Sequence, residues 1–434
     1  MAANAIKTDN HFLCASNAAA TADQRDMDAL ALKVYDMPAV VKARQQAAGR
    51  FKMYMNKFAA EADWARFDQF MEEWCFNLVM RAVASDANYP KVMGQLFSAP
   101  HEWMGNKVLG SRAAGADNPD NNYVIMPVDG YAHFELHGQR FDTVAADYPM
   151  VVAGDVSLVT ILSLIETHDL KINTDGTFVV TISPEPADPT LGRANHLQTT
   201  LDARFVFIRE CRSDWRQKSM ALRLKRLDPP TAPPMTPEQY AARAALYIIT
   251  EIPAGQFFMS TLQNLPPNFI TPPFGTAAIG GLSTQMMALG RAKFADDEAY
   301  VITTTSGGGK YGGLTMGDPI WFISLDCQTR SGSVNDATSR SNSDGSKTLV
   351  ICKNDPGIAN WLDPSGFNEI TMLHRWQALP PASSGAALPT IKGELVKLKD
   401  LDSVLPKETK IVTPVERKAM LADRQESYKT RHAY

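Results

Sequence analysis

Cysteines are few in this sequence, and they are not arranged in pairs. The 434 residues contain five cysteines at wide spacings, without a Cys-x-x-Cys pair, namely Cys14, Cys75, Cys211, Cys327 and Cys352. An odd number at such spacings argues against a disulfide framework and against a structural zinc site. We therefore expect the chain to reside in a reducing compartment.

An excess of one charge and a long apolar run are also missing. The 43 Lys and Arg residues nearly balance the 47 Asp and Glu residues, so no strong field favours nucleic acid or an anionic membrane. The most apolar run, AALYIITEIPAGQFF near residue 244, is interrupted by Glu251 and Pro253 and does not predict a membrane span. The N-terminal MAANAIKTDNHFLCASN has no apolar core of signal-peptide length. We expect a cytoplasmic protein that binds neither nucleic acid nor membranes.

Cofactor-binding motifs are missing as well. The stretch SGGGKYGG at 306–313 differs from a phosphate-binding loop, because Thr304 stands where its first Gly belongs. Tyr311 follows Lys310 where Ser or Thr would bind magnesium. The sequence has no Gly-x-Ser-x-Gly elbow and no dinucleotide fingerprint between a strand and a helix. We expect no cofactor.

Helical patterns are present at the start, in the middle and at the end of the chain. Residues 22–97 are predicted to be helical, since AAEADWARFDQFMEEWCFNLVMRAV repeats apolar residues at steps of three and four. A capping box at Thr236 and Gln239 predicts a helix start, with helical character to about residue 292. The same signal at Thr413 and Glu416 predicts a C-terminal helix. The apolar faces of the N-terminal helices also lead us to expect a homodimer.

Between these helical blocks, the sequence is typical of antiparallel strands. YVIMPVDGYAHFELHG predicts a hairpin around Asp129-Gly130, and residues 157–170 predict a helix between strands. YVITTT, PIWFISLD, KTLVICKND and EITMLHRWQAL are strand candidates after residue 299. Blocks of helices and strands favour an α+β fold with antiparallel β-sandwich or jelly-roll-like units. The predicted domains are a helical region 1–100, a β-rich domain 101–235, a helical region 236–298 and a β-rich domain 299–434 that ends in a helix.

The segment HFELH offers a candidate metal site. On a strand, His133, Glu135 and His137 share one face, and two imidazoles with a carboxylate are able to bind iron or zinc. The same alternation is typical of a solvated sheet face with Phe134 and Leu136 in the core. Because metal sites usually draw ligands from several elements, the second interpretation is preferred and no metal is predicted.

Lys310 and Tyr311 lie among glycines, which allow a backbone to approach a ligand closely. A Tyr beside a Lys can have a lowered pKa and act as an acid or base. The alternative is a flexible hairpin tip with a solvated Lys310. Nearby, the strand candidate PIWFISLD places Trp321 on one face, where it is a candidate wall of a pocket or a core residue.

The stretch NDPGIANWLDPSGFNEITMLHRWQ at 354–377 carries two tryptophans and an adjacent His-Arg pair. If its second half is a strand, Arg375 points to one face while His374 and Trp376 point to the other. An Arg that points inward needs an anion or an aromatic face. Trp361 is a candidate for stacking on a flat substrate, or else a residue that closes the sandwich edge.

Three stretches together resemble the bacterial domain-of-unknown-function family numbered twelve-fourteen. They are DNPDNNYVIMPVDG (117–130), GDPIWFISLD (317–326) and NDPGIANWLDPSGFNEITMLHRWQALP (354–380). The resemblance covers the two β-rich blocks, and it implies jelly-roll-like β domains and bacterial catabolism of steroids or aromatic compounds. It draws attention to Asn360 and Asp363 as substrate-binding candidates, and to the Arg375–Trp376 step.

Some relatives in that family resemble cofactor-free lyases of lignin-derived aromatic dimers. The resemblance implies a lyase that removes a one-carbon unit, formaldehyde or carbon dioxide, from the side chain of a small aromatic substrate. We expect Tyr311 or Tyr123 as acid or base, Arg375 as the anion holder and His374 as a second proton carrier. Lys310 is a further catalytic candidate, and Trp321, Trp361 and Trp376 are the expected aromatic walls.

Two other functions remain open from the sequence. A non-catalytic protein that binds carbohydrate or another small molecule predicts an open groove with exposed tryptophans. A metal-dependent hydrolase or oxygenase would use His133, Glu135 and His137. The enzyme hypothesis instead predicts an enclosed pocket with converging ionisable groups.

Overall fold

The protein combines a helical layer with mainly antiparallel sheets of four and six strands, as a computed structural model shows. The structure describes residues 6–112, 117–141, 149–277, 282–381 and 384–434, except for the side chains at 257 and 258. Its helices are α1 (Ala22–Tyr35), α2 (Pro38–Met55), α3 (Phe67–Val83), α4 (Pro237–Gln263), α5 (Leu401–Val404) and α6 (Pro414–Lys429). The predicted α+β class is confirmed.

The strands fall into a block before α4 and a block after it. The first block comprises β1 (His101–Trp103), β2 (Asn106–Val108), β3 (Asn121–Pro127), β4 (Phe134–Gln139), β5 (Met150–Ala153), β6 (Ile161–Ile165), β7 (Thr177–Ser183), β8 (His196–Gln198), β9 (Phe205–Cys211) and β10 (Ala221–Arg226). The second comprises β11 (Phe269–Ile270), β12 (Phe274–Gly275), β13 (Met286–Lys293), β14 (Glu298–Thr305), β15 (Tyr311–Gly317), β16 (Ser333–Asn335), β17 (Lys347–Ile351), β18 (Trp361–Leu362), β19 (Glu369–Gln377) and β20 (Thr390–Lys397).

Each block forms a sandwich of two sheets. The first packs β10-β4-β7-β8 against β3-β9-β5-β6, and its core includes Val124, Phe134, Leu136 and Ile208. The second packs β11-β13-β19-β15-β16, with β12 beside β13, against β18-β17-β14-β20. Its core includes Ile302, Leu314, Leu349 and Met372. Alternation along each strand supplies the apolar inner face.

Helices α1 to α4 cover the outer face of the sheet β3-β9-β5-β6 in the first sandwich. Helices α1 to α4 bury one continuous core that also takes in Ile125, Val151 and Phe207 from the sheet β3-β9-β5-β6. The capping box predicted at Thr236 is present at the start of α4. None of the described helices is both long and apolar enough to cross a membrane.

Helix α6 connects the two sandwiches, and its predicted capping box at Thr413 and Glu416 is present. Near its start, Arg417 Nε donates to Asp355 Oδ2 at 2.8 Å in the second sandwich. Just beyond its end, Thr430 donates to the Trp215 carbonyl at 2.9 Å, and Arg431 Nη1 donates to the Asn121 carbonyl at 3.3 Å, in the first.

Several local predictions were wrong because pairing partners lie far away in the chain. The predicted hairpin at Asp129-Gly130 is instead a crossing between sheets, since β3 pairs with β9 while β4 pairs with β7 and β10. Gly130 is required there, because a Cβ would lie 2.2 Å from the Thr200 carbonyl oxygen. The predicted helix at 157–170 contains strand β6, and the predicted helical region up to 292 contains strand β13.

In the structure, the glycine-rich stretch leads into a strand, and the strand candidate after it forms a turn. Tyr311, which one interpretation placed in a flexible hairpin tip, begins strand β15 (Tyr311–Gly317), and this strand is paired on both sides. The predicted strand PIWFISLD is a turn with a single bridge between Gly317 and Ser324. Phe322 has a φ of 53° there, which is incompatible with an extended strand.

Candidate functional site

Tyr311 and Lys310 occupy different environments. Lys310 is exposed at the turn before β15, while Tyr311 is 1% exposed. The Tyr311 hydroxyl donates to Asp120 Oδ2 at 2.6 Å. Burial and the neighbouring Asp120 charge raise the pKa of Tyr311 well above its usual value. The predicted lowering of this pKa was therefore wrong, and Tyr311 is a buried hydrogen-bond donor to a carboxylate.

Strand β19 separates the His-Arg pair by face. His374 lines a cavity of about 30 Å³ between the sheets and stacks on Trp376 with ring centroids 4.2 Å apart. Burial lowers the pKa of His374 to about 3, so its imidazole is neutral at physiological pH. Leu373, on the opposite face, packs against Leu262 of α4. Arg375 shares the face of Leu373 and points away from His374.

The three predicted tryptophan walls are packed into separate regions. Trp321 stacks on Phe70 at 5.4 Å within an aromatic cluster of the helical layer, and its indole donates to the Asp63 carbonyl. The Trp376 indole donates to the Thr305 carbonyl at 2.9 Å. Trp361 lines a cavity under helix α6 that is not lined by Arg375. The structure therefore does not bring these tryptophans together around Arg375.

Asn360 and Asp363 support the loops around β18. Asn360 donates to the Thr348 carbonyl at 2.9 Å and accepts a hydrogen bond from the Arg340 backbone N–H at 2.8 Å. Asp363 pairs with Arg330 at 2.8 Å and accepts from the Ser365 N–H. Both side chains are engaged in joining neighbouring segments.

The HFELH segment does not assemble its three polar residues. His133 lies between Asp228 at 2.9 Å and Glu185 at 3.1 Å, while His137 pairs with Glu135 at 2.9 Å. The hydrogen bond that His133 donates to Asp228, followed by the one that it donates to Glu185, raises the pKa of His133. Within the described ranges, no group of three or more His, Cys, Asp or Glu side chains is arranged to hold a metal.

Tyr123 on β3 is the candidate acid or base with the most suitable geometry. Its ring lies between Phe97, edge-on at 4.6 Å, and Phe207, stacked at 5.7 Å with an interplanar angle of 9°. The hydroxyl oxygen accepts the backbone N–H of Asn118 at 3.1 Å. Among the described residues we find no acceptor for the Tyr123 hydroxyl proton.

Charged groups from several elements surround the Tyr123 hydroxyl. Burial and the Asp117 carboxylate raise the pKa of Tyr123, while the positive charges of Arg375 and Arg209 oppose that rise. The net shift is upward, so Tyr123 is a protonated donor at neutral pH. The structure thus brings together two of the predicted residues, Tyr123 and Arg375, from the two sandwiches.

Further buried charged groups lie near Phe97, whose ring contacts Tyr123. Burial lowers the pKa of Arg81 on α3 to about 10, and the charges of Glu251 and Asp117 oppose this shift. The Arg81 guanidinium lies 5.4 Å from the Phe97 ring centroid, and its Nη1 donates to the Val156 carbonyl. Burial raises the pKa of Glu251 on α4. Perturbed groups drawn from several elements are typical of functional sites.

A cavity of about 430 Å³ lies next to Tyr123, although neither Tyr123 nor Arg375 is one of its lining residues. Phe97, Asp117 and Asn118 line it, and each of them also contacts Tyr123 or acts on its pKa. Tyr428 and Arg431 from the C-terminal region form part of another wall. The volume is in the range that holds a small organic molecule.

A smaller cavity of about 210 Å³ continues from this one. The two share four lining residues, Arg112, Ser324, Leu325 and Asp326. Arg112 is held at the junction by Glu73, through Nε to Oε2 and Nη2 to Oε1, both at 2.7 Å. This bidentate pair fixes the guanidinium, so the junction between the cavities is rigid.

Three charged groups near Tyr123 were not predicted from the sequence, namely Arg81, Glu251 and Asp117. Arg81 and Glu251 each stand as a single charge inside an otherwise apolar helical run, FNLVMRAV and YIITEIPAG. Such isolated charges are the signal that identifies them, because buried charges require partners. Asp117 lies in the DNPDNN segment, whose fold position could not be read from the sequence.

No family model matches the sequence, and no curated protein does. Among solved structures, an uncharacterised protein from Burkholderia cenocepacia superposes with a TM-score of 0.67 at 22% identity. The match covers 85% of this chain and 99% of that one, and it shows a shared fold. A protein from Vibrio parahaemolyticus matches with a TM-score of 0.37 at 12% identity, over 64% of this chain and 90% of that one, which is too low to carry an argument. The chain therefore shares its α+β fold with the Burkholderia protein.

Proposed function

We propose that the protein is an enzyme that performs acid–base chemistry on a small aromatic substrate in the cavity beside Tyr123. The observation that carries the proposal is the Tyr123 hydroxyl, which is fixed by the Asn118 N–H and has no described acceptor for its proton. A positioned donor with a raised pKa is suited to deliver a proton to a substrate. Arg375, whose charge acts on Tyr123, would hold an anionic oxygen of that substrate.

The reaction that we propose is the removal of a one-carbon unit from a substrate side chain, and this step rests on the family resemblance. In a substrate with a hydroxymethyl group, the hydroxyl proton leaves, the C–C bond breaks and formaldehyde departs. The electron pair of that bond stays on the side-chain carbon, where the attached ring delocalises it, and this carbon takes up a proton. Loss of carbon dioxide from a carboxylate follows the same electron flow.

Both versions are redox-neutral, so neither requires an external oxidant or reductant. Tyr123 would supply the proton and Arg375 would stabilise the phenolate or carboxylate. Phe97 and Phe207 would provide apolar walls, which strengthen these electrostatic interactions by excluding water. His374 has no role in this scheme, because it faces the interior of the second sandwich.

A substrate screen tests this proposal. The protein is incubated with phenolic two-ring compounds whose side chain carries a hydroxymethyl or carboxylate group, and mass spectrometry follows the loss of formaldehyde or carbon dioxide. Tyr123→Phe is expected to reduce kcat by roughly 10²–10⁴-fold, as for loss of a general acid. Arg375→Met is expected to lower kcat/KM.

Tyr131→Phe is the matched control, because Tyr131 is 75% exposed and precedes strand β4. It should leave turnover unchanged. Turnover that is equal in Tyr123→Phe, Arg375→Met and the wild type would refute the proposed roles. A folded protein without turnover of any compound in the screen would refute the proposed reaction.

A further inference from the structure

A second large cavity, of about 450 Å³, lies under helix α6 and shares no lining residue with the cavity beside Tyr123. Its walls are the inner face of α6, the segment 213–216 and residues 331–340, with Trp215 and Trp361 among them. It is large enough for a small organic ligand. A guanidinium lies over each tryptophan ring, with Arg424 4.5 Å from the Trp215 centroid and Arg417 5.1 Å from the Trp361 centroid.

Arg424 of α6 is a partly buried cation in this wall without a direct counter-ion, and its guanidinium lies over the Trp215 ring, 4.5 Å from the centroid. Its Nε donates to the Cys327 carbonyl at 2.6 Å and its Nη2 donates to Ser333 Oγ at 2.7 Å. Within the described parts of the chain, no carboxylate lies within ion-pair distance of it, and its Nη1 has no acceptor. Burial lowers the pKa of Arg424. The charges of Asp120 and Asp326 oppose this shift from a distance, and an anion bound in the cavity would add a direct counter-ion.

The other cations of the cavity differ in how they are engaged. Arg216 pairs with Asp423 at 2.6 Å, and Arg417 pairs with Asp355 at 2.8 Å. Arg340 is exposed, and its guanidinium makes no hydrogen bond to another described residue. Among the described residues, Arg424 and Arg340 are therefore the guanidinium groups of this cavity that are not paired with a carboxylate.

We propose that the cavity under α6 binds a small organic anion. Its carboxylate or phosphate group accepts hydrogen bonds from Arg424 and Arg340, and its body packs against Trp215 and Trp361. Charge-assisted hydrogen bonds from guanidinium to these two groups are strong and directional. This binding site is separate from the proposed catalytic cavity.

The test uses benzoate and inorganic phosphate as probes, titrated into the purified protein by calorimetry and by tryptophan fluorescence. Saturable binding of either probe is expected. Arg424→Gln should weaken it about tenfold, as for loss of a charge-assisted hydrogen bond, and Arg340→Gln should weaken it by roughly threefold. Lys429→Gln is the control on the same helix, since Lys429 pairs with Glu426 and does not line the cavity.

Two further variants keep the result decisive. Because Arg424 also donates to a backbone carbonyl, circular dichroism is used to check that Arg424→Gln is folded. Arg340→Gln is expected to leave the fold intact, because no described residue binds its guanidinium. Arg375→Met separates the two cavities, because binding that persists in it and falls in Arg424→Gln belongs to the cavity under α6. Benzoate alone would indicate a carboxylate ligand, and phosphate alone would indicate a phosphorylated one. The absence of saturable binding of both probes, or binding by both cavity variants as tight as by Lys429→Gln, would overturn the proposal.

Discussion

The Tyr311 hydroxyl lies 2.6 Å from Asp120 Oδ2, which joins strand β15 of the second sandwich to the segment that leads into β3 of the first. Asp120 also accepts the Trp215 indole N–H at 2.7 Å. This carboxylate therefore accepts hydrogen bonds from two buried donors in distant parts of the chain. The contact is structural. Asp120 belongs to the DNPDNN segment, and neither Asp120 nor Tyr311 lines the cavity beside Tyr123.

Tyr311→Phe is expected to destabilise the protein by roughly 1.5–3 kcal/mol, because it removes a hydrogen bond to a charged acceptor. Urea denaturation measures the change. Turnover of any substrate identified in the screen should persist, because Tyr123 is the proposed acid. A large loss of kcat with unchanged stability would instead assign catalysis to Tyr311.

Gly313→Ala should disturb the same contact from within β15. A Cβ at this position would lie 2.2 Å from the Tyr311 hydroxyl oxygen, so the ring must move, at a cost of about 1–3 kcal/mol. The effect should shrink when Tyr311→Phe is already present, which a double-mutant cycle measures. Gly275→Ala is the control, since a Cβ added at Gly275 would have no neighbouring atom within 4 Å. Equal losses in both variants would contradict this account.

Asp28→Asn should change the pH dependence of stability. Burial raises the pKa of Asp28 from 3.8 to about 7, although the hydrogen bond from Gln24 opposes the shift. The folded state therefore binds an extra proton between these values, so the wild type loses stability as pH rises from about 4 to 7. The variant lacks this loss. Its free energy of unfolding relative to that of the wild type should therefore be on the order of 4 kcal/mol more favourable at pH 8 than at pH 4. Urea titrations at both pH values measure it, and an advantage that does not grow with pH would refute the assignment.

His374→Leu should act in the opposite direction. Burial lowers the pKa of His374 from 6.5 to about 3. In this window the unfolded state binds more protons, so the wild type loses stability as pH falls from about 6.5 towards 3. The variant should show a shallower decline between pH 6 and pH 4, which chemical denaturation at a series of pH values will measure. His137→Leu is the control, since His137 is exposed on β4, and it should keep the wild-type slope. An unchanged slope in His374→Leu would show that this imidazole does not titrate as a buried group.

The sequence alone determined the features that depend on neighbouring residues. The capping boxes at Thr236 and Thr413 mark helix starts, because their hydrogen bonds span only three residues. Period-two alternation placed Arg375 and His374 on opposite faces of strand β19, and the structure has them so.

Only the tertiary structure decided the features that depend on distant pairing. The segment around Ile161–Ile165 is a strand because β5 pairs with it, and the glycines of Tyr311–Gly317 are extended because β16 and β19 flank them. The proximity of Tyr123 and Arg375 also depends on parts of the chain that are distant in sequence. These residues lie on strands of two different sandwiches, and long-range packing, which leaves no local pattern in the sequence, brings them together.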